Sequence, residues 1–243
     1  MMTNLSYDAL DVHVIRGRAG DDALLRPTRP LDFAGLTEEV SALAGAFRAL
    51  GVVPGVSVLV DLDDDGDELL AFLAALRLRA VPVLVEHTHA QTGDGETRDG
   101  ETGEGETSGH HVSGATLAVR HRPHLVVTSR EWPGHVHQPA AVLYRGPEPK
   151  HPETEIDWDL AYRAGRIDPA PALTADREYA PGATAPDEPT AAVLADVHAA
   201  AAGATAYVVG DRAVLVREVP EVGTRVGRRL GALVAGRSVQ VGR

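Results

Sequence analysis

From residue 33 to residue 50 the apolar positions Leu36, Val40, Leu43, Ala44, Phe47 and Leu50 recur at helical spacing, with Glu38, Glu39 and Arg48 off that stripe. The pattern predicts an amphipathic helix that packs by one side onto a core. Asp32 is placed to cap its start, and Gly51 to end it in a left-handed conformation. Residues 57–62 then read as a short β-branched strand, and 67–78 as a second helix with acids in its first turn and Arg77 in its last. Residues 81–86 read as a second buried strand. Strand, helix and strand joined by short loops make a βα unit. The predicted class is therefore α/β, a largely parallel sheet with flanking helices.

The periodicity stops between Thr92 and Gly114. Asp94-Gly95-Glu96-Thr97, Asp99-Gly100-Glu101-Thr102 and Glu104-Gly105-Glu106-Thr107 are near-copies of one tetrapeptide. Gly, Thr and acid without apolar residues do not offset the ordering entropy of a fold, so 92–114 is expected to be a disordered insertion, with weak cation binding as the alternative. Order is expected to resume at 115–121, followed by strands at 125–128 and 140–144 and a proline-rich loop over 146–152. The stretch 169–189, rich in Pro, Ala and acid, reads as extended. Residues 191–202 are helix-prone, and 204–209 and 213–216 are candidate strands.

Composition narrows the function classes. The chain has 243 residues, enough for a real core, and 44% are hydrophobic, but only 4% are aromatic. Val, Leu and Ala must therefore build that core. The formal charge of -12, from 23 basic against 35 acidic residues, argues against nucleic-acid and anionic-membrane partners, which require phosphate neutralisation. The absence of cysteine excludes disulfides, thiol catalysis and thiolate metal ligands. The first eight residues have neither a basic n-region nor an apolar h-region, and no apolar run nears membrane-spanning length, so a cytoplasmic protein is expected.

Several segments together resemble the opening of one enzyme family. Ala46-Phe47-Arg48-Ala49-Leu50-Gly51-Val52-Val53-Pro54-Gly55 is followed by the strand Ser57-Val58-Leu59-Val60. Leu73-Ala74-Ala75-Leu76 then closes the second helix before Ala80-Val81-Pro82-Val83. This order resembles the N-terminal subdomain of the AMP-dependent synthetases and ligases, the acyl-adenylate-forming family that includes the acyl-CoA synthetases. Ile156-Asp157-Trp158-Asp159-Leu160 with Ala164-Gly165-Arg166 resembles a short family helix, and 219–239 loosely resembles a later βα unit. The resemblance implies ATP, Mg and CoA as cofactors. It also implies a Ser/Thr/Gly-rich phosphate loop followed by Pro-Lys-Gly.

No such loop occurs in the sequence. Asp187-Glu188-Pro189-Thr190-Ala191-Ala192-Val193-Leu194 and the following Ala195-Asp196-Val197-His198 stand in its place, and the only lysine is Lys150, upstream. A phosphate loop needs small residues whose N–H groups close around the phosphates and a lysine for charge. Asp and a run of Ala supply neither. Gly55-Val56-Ser57-Val58 also stands where the family usually has G-D-x-V. The expectation is a truncated, degenerate AMP-binding-like domain over 1–243, a pseudoenzyme with no catalytic residue assigned, no cofactor predicted and cofactor-binding residues unknown.

Other candidate chemistry is weaker. Asp61-Leu62-Asp63-Asp64-Asp65-Gly66-Asp67 imitates an EF-hand loop, but Phe72 stands where its bidentate Glu belongs, so a strand-to-helix turn with capping carboxylates is the preferred reading. Among the 11 histidines, His87-Thr88-His89, His110-His111, His121 with His124, and His135-Val136-His137 form pairs. A His-x-His on a strand suits Zn or Ni, yet no third ligand has a recognised spacing, so no metal site is assigned and His-mediated binding stays an alternative. Thr128-Ser129-Arg130 lacks an identifiable base. Gly227, Gly231 and Gly236 lack the spacing of a dinucleotide fingerprint, and Arg225, Arg228 and Arg229 read as a solvated helix face rather than an anion site. The leading functional expectation is an inactive relic or interaction module, partnered by a full-length synthetase or by itself. A binder or enzyme using a nucleotide or acyl-CoA in a remodelled cleft is the alternative.

Overall fold

A computed structural model describes residues 4–85, 113–149, 151–172, 205–209, 212–216 and 225–241. The predicted first helix is α2 (Phe33–Ala49), which follows the short α1 (Val12–Ile15) and the strands β1 (Asp22–Leu25) and β2 (Leu31–Asp32). Asp32 Oδ1 accepts the Gly35 N–H at 2.7 Å, and Gly51 takes φ +87° at the far end, so both caps are as read from the sequence. Next come β3 (Ser57–Asp61), α3 (Asp65–Arg77), β4 (Val81–Leu84), α4 (Gly114–His121), β5 (Leu125–Thr128), β6 (Ala141–Tyr144), β7 (Glu155–Asp157) and α5 (Trp158–Ile167). The strands β8 (Thr205–Val209) and β9 (Arg212–Val216), the helix α6 (Arg225–Val234) and β10 (Val239–Gln240) complete the described elements. The repeats at 94–107 and the helix-prone stretch 191–202 lie outside the described residues.

The main sheet has the order β7-β6-β5-β3-β4-β8-β9, and every neighbouring pair is parallel except β8 with β9. Its central strands β3, β4, β5 and β6 are rich in Val and Leu because a parallel sheet is buried on both faces. On the first face α2, α3 and α5 pack over Val58, Val60, Leu125, Val127 and Leu143, with Phe33, Phe47 and Phe72 fully buried. On the second face Leu59, Val81, Val83, Val126 and Val142 lie under Leu117 and Ala118 of α4 and under Trp132.

Two expectations shift. Ile156 and Asp157, read with the helix, belong to β7, and α5 begins at Trp158 because the Asp157 carboxylate accepts the Leu160 N–H at 2.7 Å. The helix and strand of 219–239 are present as α6 and β10. However, β10 joins β1 and β2 in a separate three-stranded sheet and not the main one.

Two contacts tie the first-face layer together. Arg77, at the end of α3, is buried; its guanidinium grips both carboxylate oxygens of Asp11 at 2.7 and 2.9 Å and donates to the Ala170 carbonyl at 2.8 Å. Asn4 Nδ2 donates to the Leu76 and Arg77 carbonyls at 3.0 and 2.9 Å, so the N-terminal segment caps α3. The second contact is the crossing of α2 on α5. A Cβ on Gly165 would collide with the Ala42 carbonyl and stand 2.7 Å from the Ala46 nitrogen, while one on Gly45 would stand 2.9 Å from the Gly165 carbonyl. The two backbones touch because neither residue has a side chain.

Gly165→Ala is therefore expected to cost about 1–3 kcal/mol by forcing the helices apart, read as a lowered urea midpoint. Gly134→Ala, at a turn where an added Cβ meets nothing within 4 Å, is the matched control and should leave the midpoint nearly unchanged.

Candidate functional site

The chain leaves β3 on one side to form β4 and returns across it to form β5, so the strand order reverses between β3 and β5. In open α/β sheets ligands bind outside the carboxyl ends of the strands at such a reversal. Here that position holds a lattice of charged side chains. Asp61 ends β3 in register with Thr128 of β5, and the chain after β5 folds over it, with the Ser129 N–H donating to the Asp61 carbonyl at 3.1 Å. Thr128 Oγ1 accepts the Arg130 N–H at 2.9 Å and fixes that turn. The Arg130 guanidinium then donates to Asp61 Oδ1 at 2.6 Å and also to Asp63. Ser129 Oγ donates to Asp63 Oδ2 at 2.8 Å.

A second cation sits beside the first pair. Arg145, just past β6, donates to Asp67 Oδ2 at 2.7 Å and Asp159 Oδ1 at 3.0 Å, with its guanidinium 5.4 Å from the Trp158 ring centre. Burial acts to lower the Arg145 pKa, but the hydrogen bond to Asp67 and the charges of Asp67, Asp159 and Asp64 outweigh it, leaving it above its ordinary value. Arg229 of α6 reaches Asp65 at 2.6 Å and Glu68 at 3.8 Å. The acidic run is thus a strand-to-helix turn. Asp64 Oδ1 accepts the Gly66 and Asp67 N–H groups at 2.8 Å, and the neighbouring carboxylates each meet an arginine. Arg229, read as part of a solvated face, is largely buried against α3, while Arg228 is exposed.

The structure separates the sequence-selected histidines it describes. Residues 134–136 form a turn closed by the Val136 N–H on the Pro133 carbonyl at 3.0 Å, so His135 and His137 do not alternate along a strand as the metal reading required. Pro133 and Pro139 bracket that segment and break strand pairing. His137 Nε2 lies 2.9 Å from the Pro123 carbonyl and His124 Nε2 3.1 Å from the Leu50 carbonyl. His121 is buried beneath α4. Among the described residues no three His, Asp or Glu side chains are grouped to hold a metal ion. His87, His89, His110, His111, Lys150 and the stretch 187–198 lie outside the described residues. Arg130 is the residue whose role sequence reading missed; the available signal was an acid-rich strand end matched by a Ser-Arg pair one strand over.

A groove lies elsewhere, at the amino ends of β6 and β7. It encloses about 590 Å³ between the 132–142 segment and residues 152–156, with Trp132, His137 and Glu155 in its lining.

Asp67→Asn should strip Arg145 and Arg26 of a largely buried carboxylate and lower stability by about 2 kcal/mol. Arg130→Gln, between two partly exposed pairs, should cost about 1 kcal/mol or less. Chemical denaturation of both variants checks the ranking.

No family model matches the chain. An uncharacterised protein of Pseudomonas aeruginosa is 29% identical over 187 residues, which are 72% of this chain and 29% of that protein. Among solved structures, the chain is similar to an acyl-CoA synthetase of Brucella canis, with a TM-score of 0.52 and 17% identity over 72% of this chain and 29% of that one. It is similar also to an anthranilate CoA ligase bound to anthranoyl-AMP, with a TM-score of 0.51 and 16% identity over 71% of this chain and 29% of that one. The chain thus spans under a third of the length of each of these relatives. No helix among the described residues is long and apolar enough to cross a membrane. Over that span, the fold of this chain is the fold of the acyl-CoA ligases.

Proposed function

We propose that this chain is a non-catalytic acyl-CoA-ligase-like module that serves as an association partner for a full-length ligase or for a second copy of itself. The observation that carries this reading is the Arg130 guanidinium clamped between Asp61 and Asp63 at the strand-order reversal. Side-chain ion pairs occupy the place where an open α/β sheet presents its ligand crevice. The sequence supports the same reading, since it contains no Ser/Thr/Gly-rich loop followed by Pro-Lys-Gly. Leu160 and Ile167, seven residues apart on α5, are 58% and 88% exposed, which supplies apolar surface suited to association.

The groove of about 590 Å³ beside β6 and β7 favours a second reading, a binder of a nucleotide or acyl-CoA at a site remote from the crevice. A thermal-shift titration with ATP, AMP and a panel of acyl-CoAs, with and without Mg, separates the two. A binder is stabilised by mass action, so a saturable rise in Tm would favour the second reading over the association module. The expected result is a flat titration on a cooperatively melting protein. Co-purification with an acyl-CoA ligase, or self-association, should accompany it and should weaken in Ile167→Asp; a monomer that captures no ligase would overturn the association.

A further inference from the structure

The second face of the main sheet depends on a short helix that ends in a buried imidazole. Along β3 the side chains alternate, so Val58 and Val60 join the first-face core while Ser57, Leu59 and Asp61 point to the second face. A Cβ on Gly114 would stand 2.7 Å from Asp61 Oδ2, which places the start of α4 over the carboxyl end of β3. α4 then runs back along the strand, laying Leu117 and Ala118 in the second-face core. His121, its last residue, reaches the amino end, where Ser57 also faces that side. His121 is 3% exposed, and neither Nδ1 nor Nε2 has a hydrogen-bond partner among the described residues; the buried Ser57 Oγ has none either.

A neutral imidazole is compatible with that position, whereas an imidazolium is not. Burying an unpaired charge is costly, and among the described residues the charged groups of the elements around α4 do not compensate it. Arg120 and Arg122 on α4 and at its end, and Arg79 just before β4, are cations. His124 before β5 is engaged with the Leu50 carbonyl and His137 of the 132–142 segment with the Pro123 carbonyl, Glu131 pairs with His151, β6 has no charged residue, and Asp61 lies at the opposite end of α4 beside Arg130.

We infer that His121 is an acid-sensitive latch, whose protonation releases α4 and uncovers the apolar row Leu59, Val83, Val126 and Val142 on the second face. Burial, joined by the Arg120 charge, holds the docked imidazole below its ordinary value. With α4 released, His121 meets water and titrates near the ordinary 6.5. Between those two values the released state binds more protons, so docking is most stable above about pH 6.5 and weakens as the pH falls below it.

Hydrogen exchange of the α4 amides in the full chain, corrected for intrinsic exchange and referenced to β3, tests the latch. In the wild type the α4 protection factors should fall, approaching about tenfold per pH unit below pH 6.5, with a parallel rise in binding of a hydrophobic dye. In His121→Leu both should stay flat down to about pH 5, where carboxylates begin to titrate. Equal pH slopes in the two proteins would overturn the latch. Should His121→Leu fail to fold, an imidazole titration of the wild type by NMR decides. A His121 resonance that titrates below the ordinary range together with loss of α4 protection supports it. Titration at about 6.5 with α4 still protected overturns it.

Discussion

A sheet of parallel strands must be covered on both faces, and among the described residues of this protein the two covers are unequal. The strands from β3 to β6 are rich in Val and Leu and buried along their whole length. On the first face α2, α3 and α5 supply three helices and all three phenylalanines of the chain. On the second, the described cover is the eight-residue α4 and Trp132. A helix that short has little stability of its own and is held by packing alone. Among the described residues the first face is therefore the more heavily covered of the two.

The rigid layer depends on close backbone approach as well as on apolar burial. With few aromatic residues to fill space, α2 and α5 gain contact by bringing Gly45 and Gly165 together, where any side chain would separate them. Arg77 then links this layer to the N-terminal segment and to the chain beyond α5 through Asp11 and the Ala170 carbonyl. A buried cation so placed is satisfied at both ends of its fork. It specifies which segments meet.

The net charge of -12 is spread unevenly over this framework. Six acidic residues cluster at the carboxyl end of the main sheet, on Asp61 through Glu68, and Arg26, Arg130, Arg145 and Arg229 converge on them. Arg130, Arg145 and Arg229 each follow or belong to a different element, and each meets a carboxylate of the β3–α3 turn. The acyl-CoA-ligase fold is thus present with the strand-order reversal occupied by internal ion pairs. This convergence supports the module proposed above.

The sequence by itself determined the elements whose causes are local. The stripe from Leu36 to Phe47, the Asp32 and Gly51 caps, the strand-to-helix turn with capping carboxylates and the Val/Leu strands all arise from neighbours within a few residues, so their pattern alone carried them. The resemblance to acyl-CoA synthetases over the β3–α3–β4 unit was legible for the same reason. Only the tertiary structure decided that β10 pairs with β1, that Gly165 sits against Ala42, that Arg130 reaches Asp61, and that His121 lies buried without a partner. Each of these joins residues far apart in the chain, and no local period encodes which distant strand or charge becomes a neighbour. For His121 and Arg229 the residue type even pointed to solvent, and packing against the sheet and α3 overruled it.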